Sequence, residues 1–152
     1  MRYVLIAAAI FLTTPVSAKL CKVTLDSGEH LEAQAALTRS EQIKGLSGSV
    51  RHDAGLIMAW DRAEVRAVWM KGTDTTLTAA FIGEDGRIQS IQNMTPNTDT
   101  VHSSLHPVVA IIEVTPSISE RLKWEKGGYV TSSNCFRLKK ISKPQENYYD
   151  PK

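Results

Sequence analysis

Two cysteines place the strongest constraint on this chain. Cys21 and Cys135 are its only cysteines, one close to the front and one close to the back. An even count in an oxidising compartment favours a bridge. Such a bridge joins the first strand to the last and encloses most of the domain. In the chain-entropy picture, a closed loop of roughly a hundred residues is worth about 4–5 kcal/mol, an upper guide because strain subtracts from it. Two buried free thiols are the alternative, since sequence alone does not show that the two Cβ atoms meet.

The oxidising compartment is read from the first residues. Arg2 supplies a positive start, Val4 to Leu12 an unbroken apolar run, and Val16-Ser17-Ala18 modest side chains at a cleavage position. The run is short for a bilayer span, so residues 1–18 read as a signal peptide rather than an uncleaved anchor. Lys19 and Leu20 precede Cys21, where a lipid-attachment site wants a small residue. The expected location is periplasmic or secreted, with no membrane association after signal removal. Residues 19–138 read as a single β-rich domain. Residues 139–152 carry two prolines and little apolar content and read as a flexible tail.

Eighteen basic residues stand against sixteen acidic ones, and 42% of the 152 residues are hydrophobic. That balance gives no electrostatic case for nucleic acid, and the apolar content is enough for a core. Strand-like segments follow one another. Cys21, Val23 and Leu25 alternate with polar residues, Asp26-Ser27-Gly28 is a turn signal, and Leu31, Ala33, Ala35 and Leu37 repeat at period two. Thr38-Arg39-Ser40-Glu41 is a capping box, and Gly45 ends the short helix it starts. Ile43 and Leu46 are expected to dock that helix on a sheet. Gly55 to Trp60 reads as a buried strand and Asp61 to Glu64 as a turn. Val65 to Ile82 reads as an alternating strand, a polar turn at Lys71-Gly72-Thr73, and a second alternating strand. Gly83-Glu84-Asp85-Gly86 is a hairpin signal, and the three-residue spacing of Ile88 and Ile91 predicts a bulge. Val108 to Val114 is an almost unbroken β-branched run, expected to be covered on both faces. Thr115 and Pro116 open a second short helix. The fold expected is mainly β: a compact antiparallel sandwich or jelly-roll-like domain with two short helices.

No catalytic signature is present: no phosphate loop, no Cys-x-x-Cys, no Gly-x-Ser-x-Gly. His102 and His106 lack a third ligand nearby, so no metal site and no cofactor is expected. Glu41 is accounted for by capping. Glu113 interrupts the apolar run of Val108 to Val114. It is either a buried carboxylate wanting a partner such as Lys71 or Arg66, or a residue facing water on an edge strand.

Several segments together resemble the domain of unknown function 192 family. They are Ala36 to Leu46 (ALTRSEQIKGL), Gly55-Leu56-Ile57, Trp69-Met70-Lys71-Gly72-Thr73, Leu77, Phe81-Ile82, Asp85-Gly86-Arg87-Ile88, Pro96 and Glu113. The resemblance spans roughly residues 22 to 138. It implies a compact β-rich fold in a family of mostly exported or membrane-associated bacterial and archaeal proteins with no established molecular role. The family usually has Asn at the position of Gly72, Pro at Thr76, Asp at Thr78, and Gly-Asp where this chain has Gly127-Gly128. Two carboxylates are therefore missing, which turns the expectation away from acid–base chemistry. The reading is a non-catalytic binding or accessory domain that contacts a small-molecule ligand or a cell-envelope protein through Trp69, Lys71, Thr73 and Glu113. The rivals are an envelope-polymer hydrolase or transferase using Glu113, and a secretion or conjugation accessory protein.

Overall fold

The computed structural model describes residues 19–48 and 54–139. The expected signal peptide, His52 and nearly all of the expected tail lie outside the described residues.

Strand β1 (Leu20–Leu25) and strand β2 (His30–Ala36) form the hairpin that the turn at Asp26-Ser27-Gly28 predicts. Their odd-numbered side chains are buried from Cys21 to Ala35. Helix α1 (Arg39–Lys44) follows with its capping box complete. The Glu41 carboxylate accepts from the Thr38 and Leu37 N–H groups at 2.8 and 2.9 Å, and the Thr38 hydroxyl accepts from the Glu41 N–H at 3.3 Å. Those backbone bonds, Thr38 first and then Leu37, hold the Glu41 pKa below its ordinary value.

The chain crosses from β2 to β3 (Leu56–Glu64), which lies parallel to it. A parallel neighbour needs such a crossover, because a tight turn returns the chain antiparallel. Every other pairing is antiparallel. β8 (Val108–Val114) lies between β3 and β5 (Leu77–Ile82), and all seven of its residues are buried. β6 (Ile88–Met94) pairs with β5, and β9 (Val130–Ser133) pairs with β1. The sheet order is β6-β5-β8-β3-β2-β1-β9. Phe81 faces Ser90 but Ile82 faces Ile88, so the bulge falls at Gln89, as the spacing of Ile88 and Ile91 predicts.

The seven strands curl into a half-barrel, so the mainly β, sandwich-like reading with two short helices holds. One end of the curl is closed. The Val130 N–H donates to the Gly86 carbonyl at 2.8 Å, and the Ile88 N–H to the Gly128 carbonyl at 2.8 Å. Gly86 has φ +81°, and a Cβ there would collide with the Val130 carbonyl oxygen. Gly86→Ala is therefore expected to lower unfolding stability by on the order of 2 kcal/mol and to speed amide exchange at Val130. An unchanged urea midpoint would show that this closure contributes nothing.

Alternation along the central strands divides the core. Ile57, Ile112 and Ala80 face one side with Val23 and Leu31, where Leu122, just after helix α2 (Pro116–Arg121), packs. Thr115 and Pro116 hold the expected first positions of α2, although the Thr115 hydroxyl meets the Ser117 hydroxyl at 3.1 Å instead of capping. Met58, Ile111 and Phe81 face the other side with Leu46, Val68 and Met70. Cys21 and Cys135 are bridged, with Cα atoms 5.6 Å apart across 114 residues of sequence. No described helix is long and apolar enough to cross a membrane.

Three expectations are corrected. Asp61 to Glu64 is not a turn: β3 continues to Glu64, which pairs with Val108 after an irregularity following Ala59. Its polar residues reflect exposure past the covered centre of the sheet, not a change of direction. The two strands read within Val65 to Ile82 belong to different sheets. The first is reduced to β4 (Ala67–Val68), which pairs with β7 (His102–Ser103) in a two-stranded ribbon. Finally, Leu46 docks α1 on the sheet but Ile43 does not, remaining 57% exposed.

Candidate functional site

Glu113 is the next-to-last residue of β8, with Leu56 of β3 and Ala79 of β5 as its register partners. That register turns its side chain to the face shared by Leu56 and Ala79. It is 4% exposed, so the edge-strand alternative is wrong: β8 is a central strand. Neither partner expected from the sequence pairs with it. Arg66 instead bonds Glu64 at 3.0 Å and lies over the Trp60 ring, 4.7 Å from its centroid. Lys71 is exposed. Burial alone pushes the Glu113 pKa up from 4.5 to about 7.

Above Glu113 lies a cleft of about 310 Å³ between α1 and the segment Val65 to Thr73. Thr73, Met70, Met58, Leu46 and Glu113 contribute buried side chains to its lining. Arg39, Gln42, Ile43 and Lys44 come from α1, and Val65, Arg66, Trp69 and Lys71 from the opposite side. The structure thus brings Trp69, Lys71, Thr73 and Glu113 to one cavity. Trp69 is 47% exposed, on the rim rather than in the core.

The turn that places Lys71 and Thr73 is tightly held. The Thr73 N–H donates to the Met70 carbonyl at 3.0 Å, and the Asn97 N–H to the Thr73 carbonyl at 2.9 Å. Gly72 has φ +71°, a conformation that glycine and, less readily, asparagine adopt. This accounts for the Asn that the family resemblance sets at that position. The Gly48 N–H donates to the Gly72 carbonyl at 3.0 Å and ties the turn to the chain leaving α1.

Sequence reasoning missed one wall. Gln42 donates to the Ala59 and Ala36 carbonyls at 3.1 and 3.3 Å and accepts from the Trp60 indole N–H at 3.0 Å. These bonds fix α1 to the sheet, and Arg66 then stacks on Trp60. The signal available was the spacing of Arg39, Gln42, Ile43 and Leu46, three or four apart on one helical face.

The charges are one-sided. Arg39, Lys44, Arg66 and Lys71 line the cleft, and Glu113 is the only acidic residue among the lining residues. Arg66 alone of the four is ion-paired among the described residues. The two histidines play no part. His102 meets the Gln92 side chain at 3.2 Å, and the His106 carbonyl accepts from Ser104 at 2.6 Å. No group of three potential metal ligands occurs among the described residues.

Comparison with known proteins gives a family and a fold. Residues 22–132 match the model of the DUF192 family, described as an uncharacterized ACR. A protein from Sinorhizobium meliloti 1021, described as a "putative transcription regulator", has a similar crystal structure with a TM-score of 0.69 and 27% identity, covering 76% of this chain and 95% of that one. A protein of unknown function from Novosphingobium aromaticivorans DSM 12444 is similar with a TM-score of 0.64 and 28% identity, covering 82% of this chain and 94% of that one. No curated protein matches.

Proposed function

The chain belongs to the DUF192 family, and from that premise we propose that it is an exported binding or accessory domain whose ligand occupies the cleft above Glu113. The observation that carries this reading is the convergence of Trp69, Lys71, Thr73 and Glu113 on one cavity, with a buried carboxyl at its base that no basic side chain of the described residues neutralises. A buried polar group without a partner is costly, and a bound ligand is one way to supply the partner. Export rests on the leader-like first residues and agrees with the bridge between Cys21 and Cys135. The regulator wording of the Sinorhizobium protein does not carry over to nucleic acid here. The near-neutral net charge gives no strong overall pull on a polyanion, and both described helices are only six residues long.

The reading is tested by titrating the isotope-labelled protein with small fragments of mixed charge. Amide shifts are expected to cluster at Trp69, Lys71, Thr73 and Glu113. Lys71→Ala is expected to weaken the response, most of all to anionic fragments, while moving the melting temperature by no more than about 2 °C, because an exposed side chain without partners contributes little to stability. Unfolding of the Lys71 variant would make that residue structural, and a fragment set without cleft shifts would defeat the binding reading.

A second reading keeps one specific observation in its favour. A carboxyl with a pKa of about 7 can act as a general acid or base on an envelope polymer near neutral pH. That chemistry also asks for a second titratable group in hydrogen-bond reach, and none of the described residues supplies one. Glu113→Gln separates the two: it would stop turnover in an enzyme but leave fragment binding in a receptor.

A further inference from the structure

We infer that the cleft selects a small organic anion with an apolar body, the anionic group lying at the mouth among Arg39, Lys44 and Lys71 and the body passing Ile43, Val65 and Trp69 toward Thr73 and Glu113. This rests on the binding reading above and adds the chemical class of the ligand.

Three independent observations converge on it. The first is charge. Arg39, Lys44 and Lys71 come from two separate chain segments, line one cavity, and have no carboxylate partner among the described residues. Cations gathered around a concave site raise the local concentration of anions. A cationic ligand drawn to Glu113 would have to pass all three, and Arg66 as well.

The second is the apolar rim. Exposed large hydrophobic side chains are few among the described residues, and Ile43, Val65 and Trp69 are three of them. Val65 and Trp69 stand outward because Val68 and Met70 fill the inward positions of the same segment. Their placement around one mouth gives a ligand apolar contact that water would otherwise occupy.

The third is the base. Glu113 and Thr73 are both 4% exposed, both line the cavity, and neither the carboxyl nor the hydroxyl is hydrogen-bonded by another described residue. A protonated carboxyl and a hydroxyl can each donate and accept. They suit a neutral polar end on the ligand, a hydroxyl or an amide, rather than a second charge. The volume of about 310 Å³ sits at the lower end for ligand cavities and excludes a folded partner.

Beside the mouth, the ribbon register sets Ala67 opposite Ser103, and Val65, Trp69, Val101 and Leu105 lie just beyond the ribbon's ends. All four of those apolar side chains are exposed. The same chemistry could therefore be met on an anionic lipid surface, and the test includes that source.

Phenylbutanoate, phenylbutanol and phenylbutylamine share one apolar body and differ in charge. Calorimetric titration of the full mature chain is expected to rank them in that order. The anion should bind at least about tenfold tighter than the alcohol, and Arg39→Ala/Lys71→Ala should bring it down to the alcohol's affinity, with an unchanged melting temperature as the folding control. Tightest binding by the amine would overturn the anionic class and leave the binding reading standing. Binding of none of the three would overturn both. Sedimentation with phosphatidylglycerol vesicles is the last arm: capture by vesicles without binding of phenylbutanoate would overturn the soluble ligand in favour of a membrane.

Discussion

Replacing Cys21 and Cys135 together by alanine is expected to lower the unfolding free energy by about 3–5 kcal/mol, the largest loss any change outside the central strands should cause. The bridge spans 114 residues of sequence, so its removal frees almost the whole described chain in the unfolded state. The native state loses something as well. β9 is a four-residue edge strand, held to β1 by a short ladder in which the register shifts between Thr24 and Leu25. Beyond its end, the Lys22 N–H donates to the Asn134 side chain at 2.7 Å, and the Asn134 N–H to the Lys22 carbonyl at 3.2 Å. The bridge closes this region covalently. Without it, β9 should release first, exposing Val130 and Phe136 and opening the end of the half-barrel that Gly86 and Gly128 seal. Denaturant unfolding of the double alanine variant, alongside wild type with and without reductant, measures the effect. Coincident transitions would mean that the bridge constrains nothing the strands do not already hold. If instead stability falls as expected, amide exchange should show β9 accelerated well beyond β8, because β8 is covered on both faces and sits at the sheet centre.

Features that short-range pattern controls were legible before any coordinates. The β1–β2 alternation, the capping box at Thr38 and Glu41, the bulge at Gln89 and the two-sided burial of Val108 to Val114 each depend on residues within a few positions of one another. The bridge was legible because only one pairing of two cysteines exists. What escaped the sequence depends on contacts between distant segments. Nothing local says that β3 returns parallel to β2, since Leu56 to Trp60 would read the same in either direction. Nor does an apolar Ile43 announce that it stays outside while Leu46, three residues on, is buried. Part of the cleft lining was visible, at Trp69, Lys71 and Thr73, because a polar turn after an alternating segment stands out. The α1 wall was not, because Gln42 acquires its role only when Trp60 arrives beside it. Glu113 was visible as an oddity but ambiguous, since a carboxylate in an apolar run looks alike on an edge strand and at the base of a cleft.

Its position in β8 makes Glu113 the source of the second large effect, a loss of stability as pH rises toward neutrality. The unfolded chain holds this carboxyl in water at about 4.5, and the folded chain holds it at about 7. Between those values folding takes up a proton, so stability is fullest below about pH 4.5, declines through about 7 and is flat above. At about 1.4 kcal/mol for each tenfold difference, the full decline is roughly 3 kcal/mol, or on the order of 10 °C in melting temperature. Other groups titrate across the same range, so the measured quantity is the difference between wild type and Glu113→Gln, in which their contributions cancel. That difference should favour the glutamine variant progressively from pH 4.5 to 8. Parallel curves would mean that the carboxyl is solvated or paired in solution. The sign carries a functional consequence. Wild type keeps a buried group that costs it stability at neutral pH, where glutamine of nearly the same shape would not. A ligand whose apolar body covers the carboxyl and keeps water from it would hold the proton on and raise the folded pKa further. Adding phenylbutanoate should then steepen the wild-type decline between pH 6 and 8 and leave the slope of the Glu113→Gln profile unchanged, tying the stability of the central strand to occupancy of the cleft.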